Sequence, residues 1–267
     1  MLMFLVLLCI SLGDAMPFGN PNGESRKNPW ELGSHFEGDI VMPMGYRFAR
    51  NGLVPQRFHW PGAVVPYEIE GAFTREELET LNNAFKEYHN RTCVRFRPRI
   101  KEKDYIAIVN KGIGCYSNPG RVGGRQEVNY QTPECMIQFG TVLHELMHAV
   151  GFYHEHNRYE RDSYVRVVYA NIAPFAKPNF WRYHNSSLQG FGVDYDFASV
   201  THYPQVSFSV NGEPTIVPLR DTPESRMMGQ REGFSVGDVR KINAMYKCKR
   251  SKSGKRRKVR IKFKLVY

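Results

Sequence analysis

His144-Glu-Leu-Met-His-Ala-Val-Gly-Phe-Tyr-His154 is the stretch on which the reading of this chain turns. On a helix, His144 and His148 stand at i and i+4, one turn apart on one face. Both imidazoles then reach a single metal ion at about 2.0–2.1 Å. Glu145, beside the first histidine, falls at the rim of such a site, where it touches a water on the ion without joining the ligands. His154 does not fit a continuous helix. At a rise of 1.5 Å per residue it would lie about 9 Å beyond His148, and on another face. Gly151 removes the conflict, because glycine takes left-handed dihedrals without penalty and commonly ends helices. The chain turns there and brings His154 back from below. Three neutral ring nitrogens plus a water give the open coordination of a catalytic zinc site. His-Glu-x-x-His alone arises on many helices by chance; Gly151 and His154 at these offsets select the zinc reading. His89 and His156 lack such partners and read as surface or packing residues.

Working outward, the spacing predicts a helix from about Gly140 to Val150 around the first two histidines. Upstream, Ala63–Ile69, Val94–Arg97 and Tyr105–Val109 read as strands. Thr74-Arg75-Glu76-Glu77 is a capping box, and the helix it opens carries Leu78, Leu81, Ala84, Phe85 and Tyr88 at helical spacing. Gly120-Arg-Val-Gly-Gly124 lacks the Lys-Ser/Thr of a phosphate loop and reads as turns. The second half is rich in Pro, Asn and Gly and is expected to be mostly loops. Strands and helices early, with irregular chain late, place the fold in the α+β class.

The chain has 267 residues, 42% hydrophobic and 24% charged, within the range of a globular protein. Its formal net charge is +11, but Lys247 to Lys264 holds eleven Lys or Arg and no acid. The remaining 26 basic and 26 acidic residues balance, so the basicity belongs to the C-terminal end, which residues 249–267 continue as a tail. Residues 1–15 open on a short apolar run, too short to span a membrane, and read as a signal peptide cleaved after Ala15. Cys9 leaves with it. Cys93, Cys115, Cys135 and Cys248 remain, two disulfides in a secreted chain, with three pairings open. Asn90-Arg-Thr and Asn185-Ser-Ser are glycosylation sequons. Residues 16–50, rich in Pro, Gly and Asn, cannot form a core of their own and read as a propeptide lying on something larger. It ends at Arg47-Phe-Ala-Arg50, basic residues spaced for a processing protease. Residues 51–248 form the main body.

The run His144-Glu-Leu-Met-His-Ala-Val-Gly-Phe-Tyr-His-Glu-His-Asn-Arg158 resembles the astacin family of metzincin metallopeptidases. The similarity extends over nearly all of 51–248. It takes in Trp60-Pro-Gly-Ala-Val-Val-Pro-Tyr67, Gly120-Arg-Val-Gly-Gly-Arg-Gln126, Met228-Gly-Gln-Arg-Glu-Gly-Phe-Ser235 and Lys241-Ile-Asn-Ala-Met-Tyr-Lys-Cys248. The resemblance implies a two-lobed fold: an upper lobe of twisted sheet and helices, a mostly irregular lower lobe, and one zinc between them. It implies His144, His148 and His154 as zinc ligands, Glu145 as general base, and Tyr203 as a fifth ligand at rest that swings to the reaction intermediate. The disulfides implied are Cys93–Cys248 and Cys115–Cys135. Phe36-Glu37-Gly38-Asp39 resembles the inhibitory motif of the family, with Asp39 on the zinc in the latent precursor. The mature N-terminus implied is Asn51, and Glu155 is implied to receive its freed ammonium. One position departs: Thr201 stands where the family has a methionine beneath the zinc. Looser packing with the site still assembled is expected there, and the hydroxyl needs a partner if buried.

The expected activity is therefore hydrolysis of internal peptide bonds by a secreted, monomeric zinc endopeptidase (EC 3.4.24), made as a zymogen. Its expected partners are a protein or peptide substrate and an activating protease. A rival is a secreted binding protein that keeps the zinc fold without catalysis. Loss of Glu145 would mark it, and Glu145 is present. In the tail, Lys258-Val-Arg-Ile-Lys-Phe-Lys-Leu265 alternates basic and apolar residues and suits anionic glycans or a membrane surface; a solvated extension is the plainer reading. Nucleic acid is not an expected partner of a secreted chain.

Overall fold

The centre of the sheet is Tyr105-Ile-Ala-Ile-Val109, five consecutive buried residues that form strand β3. Such a run suits a strand covered on both faces and flanked by parallel neighbours. In the computed structural model, which describes residues 33, 35–42, 55–183 and 190–249, β3 lies between β1 (Val64–Ile69) and β5 (Arg125–Tyr130), parallel to both. β2 (Arg95–Pro98) and β4 (Cys115–Ser117) complete a five-stranded sheet in the order β2-β1-β3-β5-β4. Only the β4 edge runs antiparallel to its neighbour. β1 begins at Val64, because Ala63 has a φ of 57° and belongs to the preceding turn. β2 begins one residue later than its pattern suggests: the Val94 amide is held by the Thr92 hydroxyl at 3.0 Å.

Helix α1 (Arg75–Arg91) opens with the expected capping box: Thr74 Oγ1 accepts from the Glu77 amide at 3.3 Å, and Glu77 accepts from the Thr74 amide at 2.7 Å. It buries Leu81, Ala84, Phe85 and Tyr88 against the sheet, whereas Leu78 in the first turn stays partly exposed. After the short helix α2 (Glu134–Ile137), helix α3 (Phe139–Ala149) is buried along nearly its whole length. A helix buried on every side sits inside a core. α3 packs against α1, α2, β4 and β5. Its carbonyls are fastened by aromatic donors: Tyr130 to Val142 at 3.0 Å and Trp60 Nε1 to Ala149 at 2.8 Å.

Past α3 the chain is largely irregular, as the composition suggests. A two-stranded ladder, β6 (Val165–Val167) with β7 (Ile216–Pro218), anchors a second apolar cluster that includes Ile172, Phe180, Tyr203 and Phe208. Helix α4 (Val236–Met245) returns to the upper core through Ile242 and Met245. The disulfide pairing that spacing leaves open is Cys93–Cys248 and Cys115–Cys135. Among the described residues no helix is long and apolar enough to cross a membrane. The leader, the Arg50–Asn51 junction, the Asn185 sequon and the tail from residue 250 lie outside the described residues; Asn90 is exposed in the last turn of α1.

Candidate metal centre and active site

α3 ends where the sequence requires it. Gly151 has a φ of 119°, its amide bonds to His148 O at 2.8 Å, and the Phe152 amide reaches back to Met147 O at 3.1 Å. These bonds satisfy carbonyls that the helix end leaves open. The reversal carries His154 to the face already occupied by His144 and His148. The three ring centroids lie 4.5, 4.8 and 5.3 Å apart.

Each histidine presents Nε2 because its Nδ1 is committed elsewhere. His144 Nδ1 lies 2.7 Å from Val200 O and His148 Nδ1 lies 2.6 Å from Phe152 O. A carbonyl only accepts, so each Nδ1 carries the proton and each Nε2 an unshared pair. Burial, first of all, lowers the His144 pKa to about 4, and burial with the neighbouring His144 holds His148 well below the usual range. Both rings are thus neutral, the form that binds metals. His144 Nε2 and His148 Nε2 face each other at 2.9 Å, two acceptors that a cation between them would reconcile.

The fourth member is Asp39. Its Oδ2 lies 2.9 Å from His144 Nε2 and 3.2 Å from His154 Nε2, and Asp39, His144, His148 and His154 place one ligand atom each within 4.8 Å of one another. Burial opposes ionisation of Asp39, but the charge of His154 and its hydrogen bond outweigh it and hold the carboxyl well below the carboxylate range. Asp39 Oδ1 is buried with no hydrogen-bond partner among the described residues. A buried, ionised and half-satisfied carboxylate facing three imidazoles fits a zinc ion, whose usual donors are these nitrogens and oxygens. Glu145, next to the first histidine, is fully buried, with neither oxygen hydrogen-bonded among the described residues; burial and then the charge of Asp39 push its pKa well up.

Asp39 is delivered by a tight loop. Glu37 and Gly38 have φ of 53° and 87°, and the Gly38 amide closes on His35 O at 3.0 Å. Just beyond, residues 39–41 add to the β4 edge: the Ser117 amide donates to Asp39 O at 2.8 Å and the Val41 amide to Ser117 O at 2.9 Å. Ile40 is buried against Phe58, Tyr153 and Tyr183. Tyr203 lies under the ligands, with its ring 4.7 Å from that of His154 and 3.9 Å from that of His156. Its hydroxyl donates to Glu37 O. His156 proves to be a fully buried packing residue, and His89 accepts the Phe96 amide at 2.9 Å.

Two site residues, Glu37 and Asp238, were not foreseen from the sequence, and of Glu155 only its partners within the chain were not. Glu37, whose motif suggested only Asp39, is fully buried, and its carboxylate accepts from His154 Nδ1 at 2.7 Å, Asn157 Nδ2 at 2.8 Å and the Tyr183 hydroxyl. Asp238, the N3 residue of the Ser235 capping box, accepts from the Val200 amide at 2.9 Å and Ser199 Oγ at 2.6 Å, fixing the turn that orients His144. Glu155, which by itself could have been a solvated acid, is buried and bonded to Lys241 at 2.6 Å and Arg158 at 2.7 Å. The Thr201 hydroxyl has the partner it needs, Ser199 Oγ at 3.0 Å.

Comparison with known proteins agrees with this geometry. The family model for the Astacin peptidase family matches residues 53–247. The chain belongs to the astacin family. It is 42% identical over 237 residues to zinc metalloproteinase nas-8 of Steinernema carpocapsae, covering 85% of this chain and 55% of that protein. It is 39% identical over 235 residues to zinc metalloproteinase nas-4 of Caenorhabditis elegans, covering 85% of this chain and 73% of that one. The solved structure of high choriolytic enzyme 1, a hatching enzyme zinc-protease from the medaka fish Oryzias latipes, superposes with a TM-score of 0.67 at 36% identity. That match covers 73% of this chain and 97% of that one. The chain thus spans about half the length of several of its curated relatives. The astacin α+β fold and the zinc cofactor follow from these matches together with the three-histidine, one-aspartate cluster.

Proposed function

We propose that residues 51–248 of this astacin are a secreted zinc endopeptidase, held latent by residues 16–50 with Asp39 on the metal position. The observation that carries the reading is the convergence of three imidazoles and the Asp39 carboxylate within 4.8 Å, with the buried carboxyl of Glu145 near enough for the charge of Asp39 to act on it. Bound there by His144, His148 and His154, zinc supplies Lewis acidity toward the scissile carbonyl and its attacking water. Glu145 takes the proton of that water and delivers it to the leaving amine. The Tyr203 hydroxyl, released from Glu37 when the segment departs, donates to the developing oxyanion, where fixed donors count most. The β4 edge, now paired with residues 39–41, binds the extended main chain of a protein substrate.

Secretion is supported by the apolar leader and by two disulfides, which persist in oxidising compartments. Cleavage after Arg50 by an activating protease frees Asn51 and removes Asp39. The exposed Asn90 suits glycosylation in the same compartment, with Asn185 as a second acceptor. The basic tail adds attraction to anionic glycans or membrane surfaces, and the mature enzyme acts as a monomer. Glu145→Gln tests the core of the proposal: processed variant protein should retain one zinc per chain and lose at least about 100-fold in turnover of a peptide substrate. Near-normal turnover would refute it.

A further inference from the structure

One buried hydroxyl near the ligands takes no part in the hydrolytic steps. Thr201 is fully buried. It stands third in the turn Ser199-Val-Thr-His202, which the His202 amide closes on Ser199 O at 2.9 Å. The peptide between Val200 and Thr201 is the centre of that turn, and a trans peptide points its C=O and its N–H to opposite sides. The carbonyl, Val200 O, accepts from His144 Nδ1 at 2.7 Å. The N–H, on Thr201, donates to Ser199 Oγ at 3.2 Å. Whatever holds one side of this peptide therefore aims the other. The next carbonyl, Thr201 O, accepts the Glu155 amide at 3.2 Å, one residue past His154. A single turn thus reaches the first metal-binding histidine and the neighbour of the third.

Ser199 Oγ is itself held from two sides. It donates to Asp238 Oδ1 at 2.6 Å and lies 3.0 Å from Thr201 Oγ1. A carboxylate only accepts, so the Ser199 proton goes to Asp238 and Thr201 donates to Ser199. Asp238 is fixed separately, at the start of α4, by the Ser235 and Val200 amides at 3.1 and 2.9 Å. Lys241 Nζ, at 3.5 Å from the same Ser199 oxygen, is a weaker hold. The chain of bonds from Thr201 through Ser199 to Asp238 therefore has one direction, and its middle oxygen is the acceptor of the Thr201 amide. Thr201, Ser199 and Asp238 are all fully buried, where a hydrogen bond left unmade goes uncompensated.

We propose that Thr201 is a positioning residue: its hydroxyl pins Ser199 Oγ against the Thr201 amide, which keeps the Val200 carbonyl on His144 and the metal in place. The kinetic part of the test rests on the endopeptidase reading; the zinc part does not. Thr201→Val keeps the shape of the side chain and removes the donor. Full-length precursor with this change should lose zinc to a chelator about tenfold faster than the parent, and its processed form should lose about tenfold in kcat with KM little changed. Thr201→Ser, which keeps the hydroxyl on a smaller side chain, should stay within about threefold of the parent in both. Ser199→Ala should release zinc at least as fast as Thr201→Val. Adding Thr201→Val to it should change little further, because the two act through one oxygen. Packing alone would give the opposite order, with Thr201→Ser worse than Thr201→Val and the effects of Ser199→Ala and Thr201→Val additive. Zinc release from Thr201→Val no faster than from the parent or from Thr201→Ser would overturn the proposal, and so would additivity. Should Ser199→Ala fail to fold, the comparison of valine with serine at 201 carries the test by itself. Inactivity of every processed form, with zinc release still in the expected order, would sink the endopeptidase reading and leave Thr201 in its role.

Discussion

Replacing Glu37 with alanine should make the precursor leak. The Glu37 carboxylate accepts three buried hydrogen bonds, from His154, Asn157 and Tyr183, and none is formed once the segment leaves. A hydrogen bond to a charged group contributes about 1.5–3 kcal/mol. The low end applies, because the carboxylate must itself be stripped of water. Three bonds at about 1.5 kcal/mol give about 4.5 kcal/mol favouring the docked segment, and each 1.4 kcal/mol is tenfold. The open fraction, and with it the activity of unprocessed protein, should rise about 1,000-fold. The assay is initial-rate cleavage of a fluorogenic peptide by precursor with Arg50 blocked against processing, beside Asp39→Ala as a control. A Glu37→Ala precursor as silent as the parent, with Asp39→Ala active, would show that the carboxylate adds nothing to docking.

Two further outcomes concern stability. Burial works against ionisation of Glu155, but Lys241 and Arg158 outweigh it and bring the pKa from 4.5 down to about 2. A depressed acid stabilises the fold above its unfolded pKa, and that contribution is lost as pH falls; between pH 4.5 and 2 the loss should be about 3 kcal/mol. Urea unfolding across that range should show it, and Glu155→Gln/Lys241→Met should flatten it; parallel profiles would contradict the assignment. The disulfides should rank by the loops they close. Cys93–Cys248 spans 155 residues and Cys115–Cys135 spans 20, so loop entropy predicts losses of about 5 and about 3 kcal/mol on replacement by alanine pairs. The reverse order in denaturant unfolding would refute that explanation.

What the sequence made legible followed from local rules. The histidine spacing and Gly151 defined the helix, its end and the return of His154, because each depends on dihedral preferences within a few residues. Strand β3 and the Thr74 capping box were equally local. Strand ends shifted where a hydroxyl or a left-handed residue intervened, as at Thr92 and Ala63. The acceptors behind the ligands were not legible. Val200 O lies 56 positions from His144 and the Glu37 carboxylate 117 from His154, and no periodicity reports such pairings. Lys241 carried no signal either, since a lysine on an amphipathic helix reads as surface until its acids are seen. Thr201, a departure from the family, was visible as a polar group in need of a partner, but Ser199 emerged as that partner only from the fold.

Latency and hydrolysis both require three imidazoles to meet at one ion. Zinc-edge X-ray absorption on the purified precursor, with metal content measured on the same sample, tests this directly. The expected result is one zinc per chain bound by three imidazole nitrogens at about 2.0–2.1 Å and by carboxylate oxygen. Substoichiometric zinc, or a spectrum fitted by two imidazoles with His154→Ala unchanged from the parent, would contradict it.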